Sequence, residues 1–428
     1  MRLMATRRLE PGAVLGRDVF DGRSSAIPLL RKGVKMTERH RDALLGVGVH
    51  AVYIEDAIGE GIEVTHAVDP DTRRRATVAV SKAFEGCKES LSNGTGVPEA
   101  VMGDLQKVAE MIARDIEDNV DMAVALDDLA SADGYTLQHS IDVAAIGMLV
   151  GQKLFRERGW IDHTGRRTYE RRERRLARLG LGLLLHDVGK LVIPKDILNK
   201  PGQLDEAEWE LMRQHPRAGV EMLRSDLISP LVKVVVRSHH ERWDGGGYPD
   251  GLAGEEIHQL ARVAAPADVF DAVTSERVYA SARPPDVGVQ IVLDGACRAF
   301  DPDVVDVFRR VVTPFPPGIE VELGDGRRGV VVSVPQTNLT RPLVRIGWEA
   351  GGRAVSPYEL DTATEPELGI TCVTARGTTS SDEKPPPLPS RPEPTATDLF
   401  EAREARETRL AAAAERLASR RGRVRVRR

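Results

Sequence analysis

The sequence predicts a mainly α chain. An all-helical central region lies between a small N-terminal α+β module and a small C-terminal β-module, and a disordered, then helical, tail follows. Three observations predict this. Apolar residues recur at helical spacing through most of the span from about 72 to 312. Short strand-like runs bounded by turn residues are confined to about 1–57 and 313–374. From 375 onward the composition shifts to Thr, Ser and Pro, with Pro385, Pro386 and Pro387 in a row, as expected of a segment too polar to bury a core.

The chain has 428 residues, enough for more than one domain; 41% hydrophobic content supports globular cores. A net charge of −5 gives no ground for a whole-molecule nucleic-acid binder. Cys87, Cys297 and Cys372 are scattered and form no paired framework, so they read as free thiols in a reducing compartment. The N-terminal stretch lacks an apolar signal region, and no segment approaches the roughly 20 apolar residues of a transmembrane helix. A cytoplasmic protein is expected.

In residues 1–57, Ala13–Leu15, Asp18–Phe20 and Ala51–Ile54 read as strands, with a helix over Thr37–Leu45 whose N-cap is Thr37. Residues 58–125 form a helical connector, with two helices around the turn at Asn93–Pro98. Residues 126–312 carry the candidate site. Within them, Arg166–Arg178 is arginine-dense and reads as a solvated helix face interleaved with Glu170 and Glu173. The character changes at Pro314–Gly318; strands are expected over Ile319–Leu323, Gly329–Val334 and Leu343–Trp348. The tail, 375–428, contains a charged helix over Asp398–Ala418, then a terminus with seven arginines between Arg416 and Arg428 and no acid among them.

His139, His186, His215, His239 and His240 fall between positions 139 and 240, joined by Asp187 and, further on, Asp268. Taken singly, each has an ordinary structural reading. His139 shares a helical face with Val143, Ile146 and Val150, as a hydrogen-bonded core histidine would. Asp187 has Lys190 one turn on, as in a simple ion pair, and His215 fits a turn before a helix. His239 and His240 are adjacent, so both can serve one ion only near a helix end, where Gly245, Gly246 and Gly247 free the backbone. Together the seven sit at polar breaks in apolar helices, and imidazole with carboxylate is a ligand set for transition metals. Seven groups exceed the needs of one ion and suit two that share a carboxylate, with Asp187 as the natural bridge.

The run His186-Asp187-Val188-Gly189-Lys190 followed by His239 to Pro249, with Gly247-Tyr248-Pro249 intact, resembles the HD-GYP subgroup of the HD phosphohydrolases. His215–Gly219, Gly251–Gly254 and Asp268–Arg277 extend the resemblance in the right order. It implies an all-α HD-type catalytic domain that hydrolyses cyclic di-GMP to pGpG, GMP or both, through two divalent metals (iron or manganese) and a bridging hydroxide. By position, it implies that His139, His186, Asp187 and Asp268 hold one ion, and that Asp187, His215, His239 and His240 hold the other. Lys190, Arg277 and the loop Gly247, Tyr248 and Pro249 would meet the substrate, with Asp187 and Lys190 as the catalytic pair.

Three departures stand out. Tyr135 occupies the place of a glutamate that binds a third metal in some members, so two ions are expected. Ala280 replaces a cation after Arg277, and Pro266 is expected to kink or start the helix bearing Asp268. The partners implied are cyclic di-GMP as substrate, a homodimer, and a protein partner or anionic surface for the basic tail. Two other readings stay open at this stage: a catalytically quiet cyclic di-GMP receptor, and a hydrolase of another cyclic dinucleotide or phosphoester.

Overall fold

A computed structural model describes residues 1–20, 28–64, 67–93, 98–118, 135–162, 164–200, 202–224, 228–275 and 283–372. The expectations for Arg277, Ala280 and the tail beyond 374 therefore lie outside the described residues.

The chain begins with β1 (Arg2–Ala5) and β2 (Val14–Leu15), then α1 (Glu38–Gly46) and β3 (Ala51–Glu55). The sheet order is β1-β3-β2, antiparallel, with Leu3 opposite Tyr53 and Leu15 opposite Ile54. Thr37 caps α1 by accepting from the His40 amide at 3.2 Å, as expected. The reading of Asp18–Phe20 as a strand is corrected: Val19 makes only an isolated bridge to Leu30. β1 was not anticipated, because Arg2–Ala5 offers no turn signal before it. Leu9, Leu15, Met36, Leu44, Val52 and Ile54 close a core beneath this sheet.

Next come α2 (Pro70–Asn93) and α3 (Glu99–Asp118), the two expected connector helices. The long α4 (Tyr135–Arg158) follows, buried nearly all round through Ile141, Val143, Ile146, Met148 and Leu149. A helix apolar on every face belongs in a core. A hairpin of β4 (Trp160–Ile161) and β5 (Arg167–Thr168) leads into α5 (Arg172–Leu184). The arginine-rich stretch is thus part hairpin and part helix, correcting the expectation of a single helix face. Then come α6 (Lys195–Leu198), α7 (Glu206–Met212), α8 (His215–Met222) and α9 (Pro230–Ser238). They are followed by α10 (Gln259–Thr274), α11 (Pro285–Asp294) and α12 (Pro302–Phe308).

Pro266 lies inside α10, which starts at Gln259 because the His258 ring accepts from the Leu260 amide at 3.2 Å. The expectation that Pro266 starts this helix is therefore corrected. Phe270 of α10 meets Phe308 of α12 edge to face, centroids 5.4 Å apart, a pair worth about 0.5–1.5 kcal/mol beyond its burial.

The C-terminal sheet contains β6 (Glu320–Leu323), β7 (Arg328–Ser333), β8 (Leu343–Trp348), β9 (Ala354–Asp361) and β10 (Ile370–Cys372), in the order β10-β6-β7-β8-β9. Every pairing is antiparallel. The first three strands were expected. β9 was missed because Pro357 interrupts it and its side chains are mostly exposed, so no apolar alternation marks it; this is edge-strand behaviour.

The two terminal sheets interlock. The Leu3 amide donates to Gly318 O at 2.9 Å, and Ile58 and Ile62 pack with Val330, Val332 and Trp348. Buried Glu320 lies within 3.6–3.7 Å of the guanidinium groups of Arg2, Arg8 and Arg328. Arg345 donates to Ile58 O at 3.1 Å.

Candidate metal centre

Four helices and one tight turn bring the seven predicted groups together. His139 projects from the first turns of α4. α5 ends at Leu184, and His186 and Asp187 occupy the turn between it and the short 3-10 helix Val188–Val192. Gly189 explains how α8 approaches so closely: a Cβ there would stand 1.9 Å from His215 O and 2.6 Å from the Gly219 amide. His215 is the first residue of α8 rather than part of a preceding turn, with Pro216 suited to the following position. His239 caps the C-terminus of α9, and His240 follows as the chain leaves the helix. Asp268 lies midway along α10.

The loop after His240 is folded back on itself. Buried Glu241 accepts from the amides of Asp250 at 2.7 Å and Leu252 at 3.0 Å. A Cβ on Gly247 would lie 2.3 Å from the Arg242 amide, so only glycine fits. The Tyr248–Pro249 bond is cis. The Tyr248 ring stacks on His240 with centroids 4.8 Å apart, and Pro249 O accepts from Arg217 at 2.8 Å.

Among the described residues, the ligand atoms converge in two groups, His139–His186–Asp268 and Asp187–His215–His239–His240. Asp187 spans both. Its Oδ2 is 3.5 Å from His139 Nε2 and 3.4 Å from His186 Nε2, while its Oδ1 is 3.5 Å from His215 Nε2 and 3.9 Å from His239 Nε2. Asp268 Oδ1 is 3.2 Å from His139 Nε2, and its Oδ2 is 3.8 Å from His240 Nδ1. Lys190 Nζ is 2.5 Å from Asp187 Oδ2 and is the more exposed member of that pair. His139, His186, Asp187, His215 and His239 are each at most 3% exposed; His240 is half-buried and marks the open side.

The outer nitrogens are already committed. Nδ1 donates from His186 to Leu183 O (2.6 Å), from His215 to Met212 O (2.8 Å) and from His239 to Val236 O (3.0 Å). A carbonyl only accepts, so the proton sits on Nδ1 and each Nε2 turns a lone pair inward. Burial pushes His215 down to about 3 and His240 to about 4, and lowers His239 well below its usual value, with the neighbouring imidazoles adding to each. These rings are neutral at neutral pH. Burial alone would raise Asp187, but the Lys190 ammonium, with His186, holds its carboxyl well below the ordinary range.

This arrangement fits metal. Asp187 Oδ1 is buried without a hydrogen-bond partner, an arrangement that is costly unless a cation lies beside it. The Nε2–Nε2 separations of 3.2 Å in His139–His186 and His215–His239 match ligands about 3 Å apart around an ion held at ~2.1 Å. The donor set, imidazole with carboxylate, suits a divalent transition ion.

Sequence reasoning missed Asp271. It is fully buried and accepts from His139 Nδ1 at 2.6 Å, fixing the ring as second-layer carboxylates do for metal-binding histidines. Its sequence signal is only its place three residues after Asp268 on an apolar helix, which does not by itself reveal the role. Glu241, the anchor of the glycine loop, was also passed over.

Residues 143–304 match the HD domain family. A cyclic di-GMP phosphodiesterase of Pseudomonas aeruginosa is 33% identical over 287 residues, 67% of this chain and 64% of that protein. The cyclic di-GMP phosphodiesterase response regulator RpfG of Xanthomonas campestris is 44% identical over 29% of this chain and 34% of its own. A 3'3'-cGAMP-specific phosphodiesterase of Vibrio cholerae is 39% identical over 31% of this chain and 29% of its own. The chain thus spans just under two thirds of the first relative's length and about a third of the others'. A solved HDG"Y"P protein from Bdellovibrio bacteriovorus is 16% identical, with a TM-score of 0.40 and coverage of 72% of this chain and 97% of that one. With an HD family match that contains the His186–Asp187 pair and the Gly247–Pro249 loop, the chain carries an HD domain of the HD-GYP type.

Proposed function

We propose that the protein is a metal-dependent phosphodiesterase that hydrolyses cyclic di-GMP to pGpG, GMP or both. The observation that supports this best is Asp187, whose two oxygens face separate groups of buried imidazoles. His139, His186, Asp187 and Asp268 are assigned to one ion, and Asp187, His215, His239 and His240 to the other. Iron and manganese are the expected ions. When bound, the pair would supply an activated water and positive charge at phosphorus.

The chain's own residues do the rest. Lys190, ion-paired to Asp187 yet partly exposed, turns its ammonium toward a substrate phosphate and offsets charge that develops there. Tyr248, stacked on His240, forms a wall beside the more exposed of the ligands, and Gly247 and Pro249 set its backbone. Neutral His215 and His239 remain available as ligands well below neutral pH. Arg277 is assigned to the same phosphate role by its sequence position alone.

The test is elemental analysis of anaerobically purified full-length protein, followed by turnover of cyclic di-GMP with iron or manganese. Two ions per chain and a linear product are expected; a metal-loaded enzyme without turnover would reject the reading. The 39% identity to a cGAMP-specific enzyme favours one second reading, another cyclic dinucleotide as substrate. Parallel assays with 3'3'-cGAMP decide between them.

A further inference from the structure

Asp142 lies on α4 three residues beyond His139, on the turn that follows it, and is buried at 6% exposure. Its carboxylate receives Arg73 from the connector helix α2 at 2.6 Å, and Gln138, the residue before His139, reaches both its oxygens at 3.1 Å. On the other side of His139, Asp271 accepts from Nδ1. Asp142 and Asp271 are close enough for each to feel the other's charge. Two buried acids, Asp142 of α4 and Asp271 of α10, therefore lie on either side of His139, and Arg73 is the cation paired with the one that is not bonded to it.

We propose that Arg73 is a positioning residue for the ion assigned to His139: its pair with Asp142 fixes the turn of α4 that aims the imidazole. This rests on the two-ion reading above and adds a route, since it ties the helix that follows the N-terminal sheet to one half of the metal centre. The geometry is selective. Arg73 donates to Asp142 on the helix that carries His139, whereas His215, His239 and His240 come from α8 and the end of α9. A pair that served only to hold helices together would, when lost, lower stability without favouring one ion over the other.

The test uses the full-length metal-free chain titrated with Mn²⁺ by calorimetry, with steady-state kinetics on the loaded enzyme. Arg73→Ala should weaken one of two Mn²⁺ sites tenfold or more and leave the other within twofold, and kcat should fall about as much with KM little changed. Arg73→Lys should restore the weakened site to within threefold, and Arg74→Ala, an exposed neighbour paired with Asp71, should change nothing. If Arg73→Ala fails to fold, Asp142→Asn takes its place and should weaken the same single site. Equal loss at both sites, or at neither, overturns the proposal while leaving the two-ion reading intact. Wild-type protein that binds no Mn²⁺ would remove that reading, and this inference with it.

Discussion

His215 Nε2 and His239 Nε2 face each other across 3.2 Å, with both Nδ1 atoms already given to carbonyl oxygens. Neither ring has a proton left to offer the other, so a cation is what makes the pair favourable. Asp187 Oδ1, 3.5 Å from His215, completes the same opening.

Asp187→Ala removes the carboxylate whose oxygens face His139 and His186 on one side and His215 and His239 on the other. Metal content should drop from two ions to at most one, and kcat/KM should fall by roughly a hundredfold to a thousandfold, the scale of losing a preorganised charge-stabilising group. Far-ultraviolet circular dichroism should stay near wild type. Full metal occupancy with normal turnover would rule out the bridge.

Gly189→Ala places a methyl carbon where His215 O and the Gly219 amide already stand. These are backbone atoms, so α8 must shift. A loss of about 1–3 kcal/mol in denaturant unfolding is expected from overpacking, together with weaker binding of the ion assigned to His215. An alanine variant with unchanged stability would contradict the close approach.

Asp271→Ala leaves His139 Nδ1 without its acceptor. Metal affinity or activity should fall about 10–100-fold, as for other second-layer carboxylates, and Asp271→Asn, which keeps a carbonyl acceptor, should recover much of it. Equal effects of the two substitutions would count against the orienting role.

Stability of the metal-free protein should rise with pH between about 4 and 6.5. Burial lowers His215 to about 3 and both His240 and His258 to about 4, and lowers His239 as well, so over that window the unfolded chain binds more protons than the native one. Their contribution is complete above the unfolded value near 6.5 and is lost as pH falls toward the folded ones. Asp142, Glu241 and Asp286 act the other way: burial raises all three, Asp142 to about 7, which costs stability as pH climbs from about 4. Four strongly lowered imidazoles outweigh these three carboxyls, so urea unfolding at pH 7 should need more denaturant than at pH 5. The opposite order would mean that these rings are charged in the native state.

Much of the site was legible because its residues break a strong pattern: imidazoles and acids interrupt helices that are otherwise apolar, and glycines sit where backbones must touch. The helices were legible for the same reason. Asp271 was not singled out because its partner lies 132 residues away, and nothing local distinguishes an acid that holds a ring from one that holds a metal. β1 and β9 were illegible because a strand of only four residues without apolar alternation, or one with proline inside, takes its identity from the neighbour it pairs with.

Glu320, ringed by Arg2 and Arg8 from the start of the chain and Arg328 from the C-terminal sheet, has a practical consequence for anyone trimming this protein. The beginning of the chain and its last β-sheet work as the two halves of a buckle. A minimal catalytic fragment cut before residue 313 would leave Arg2 with Asp56 but without Glu320, and would strip Ile58 and Ile62 of their packing partners, so a graft of either piece onto a relative should carry the other with it.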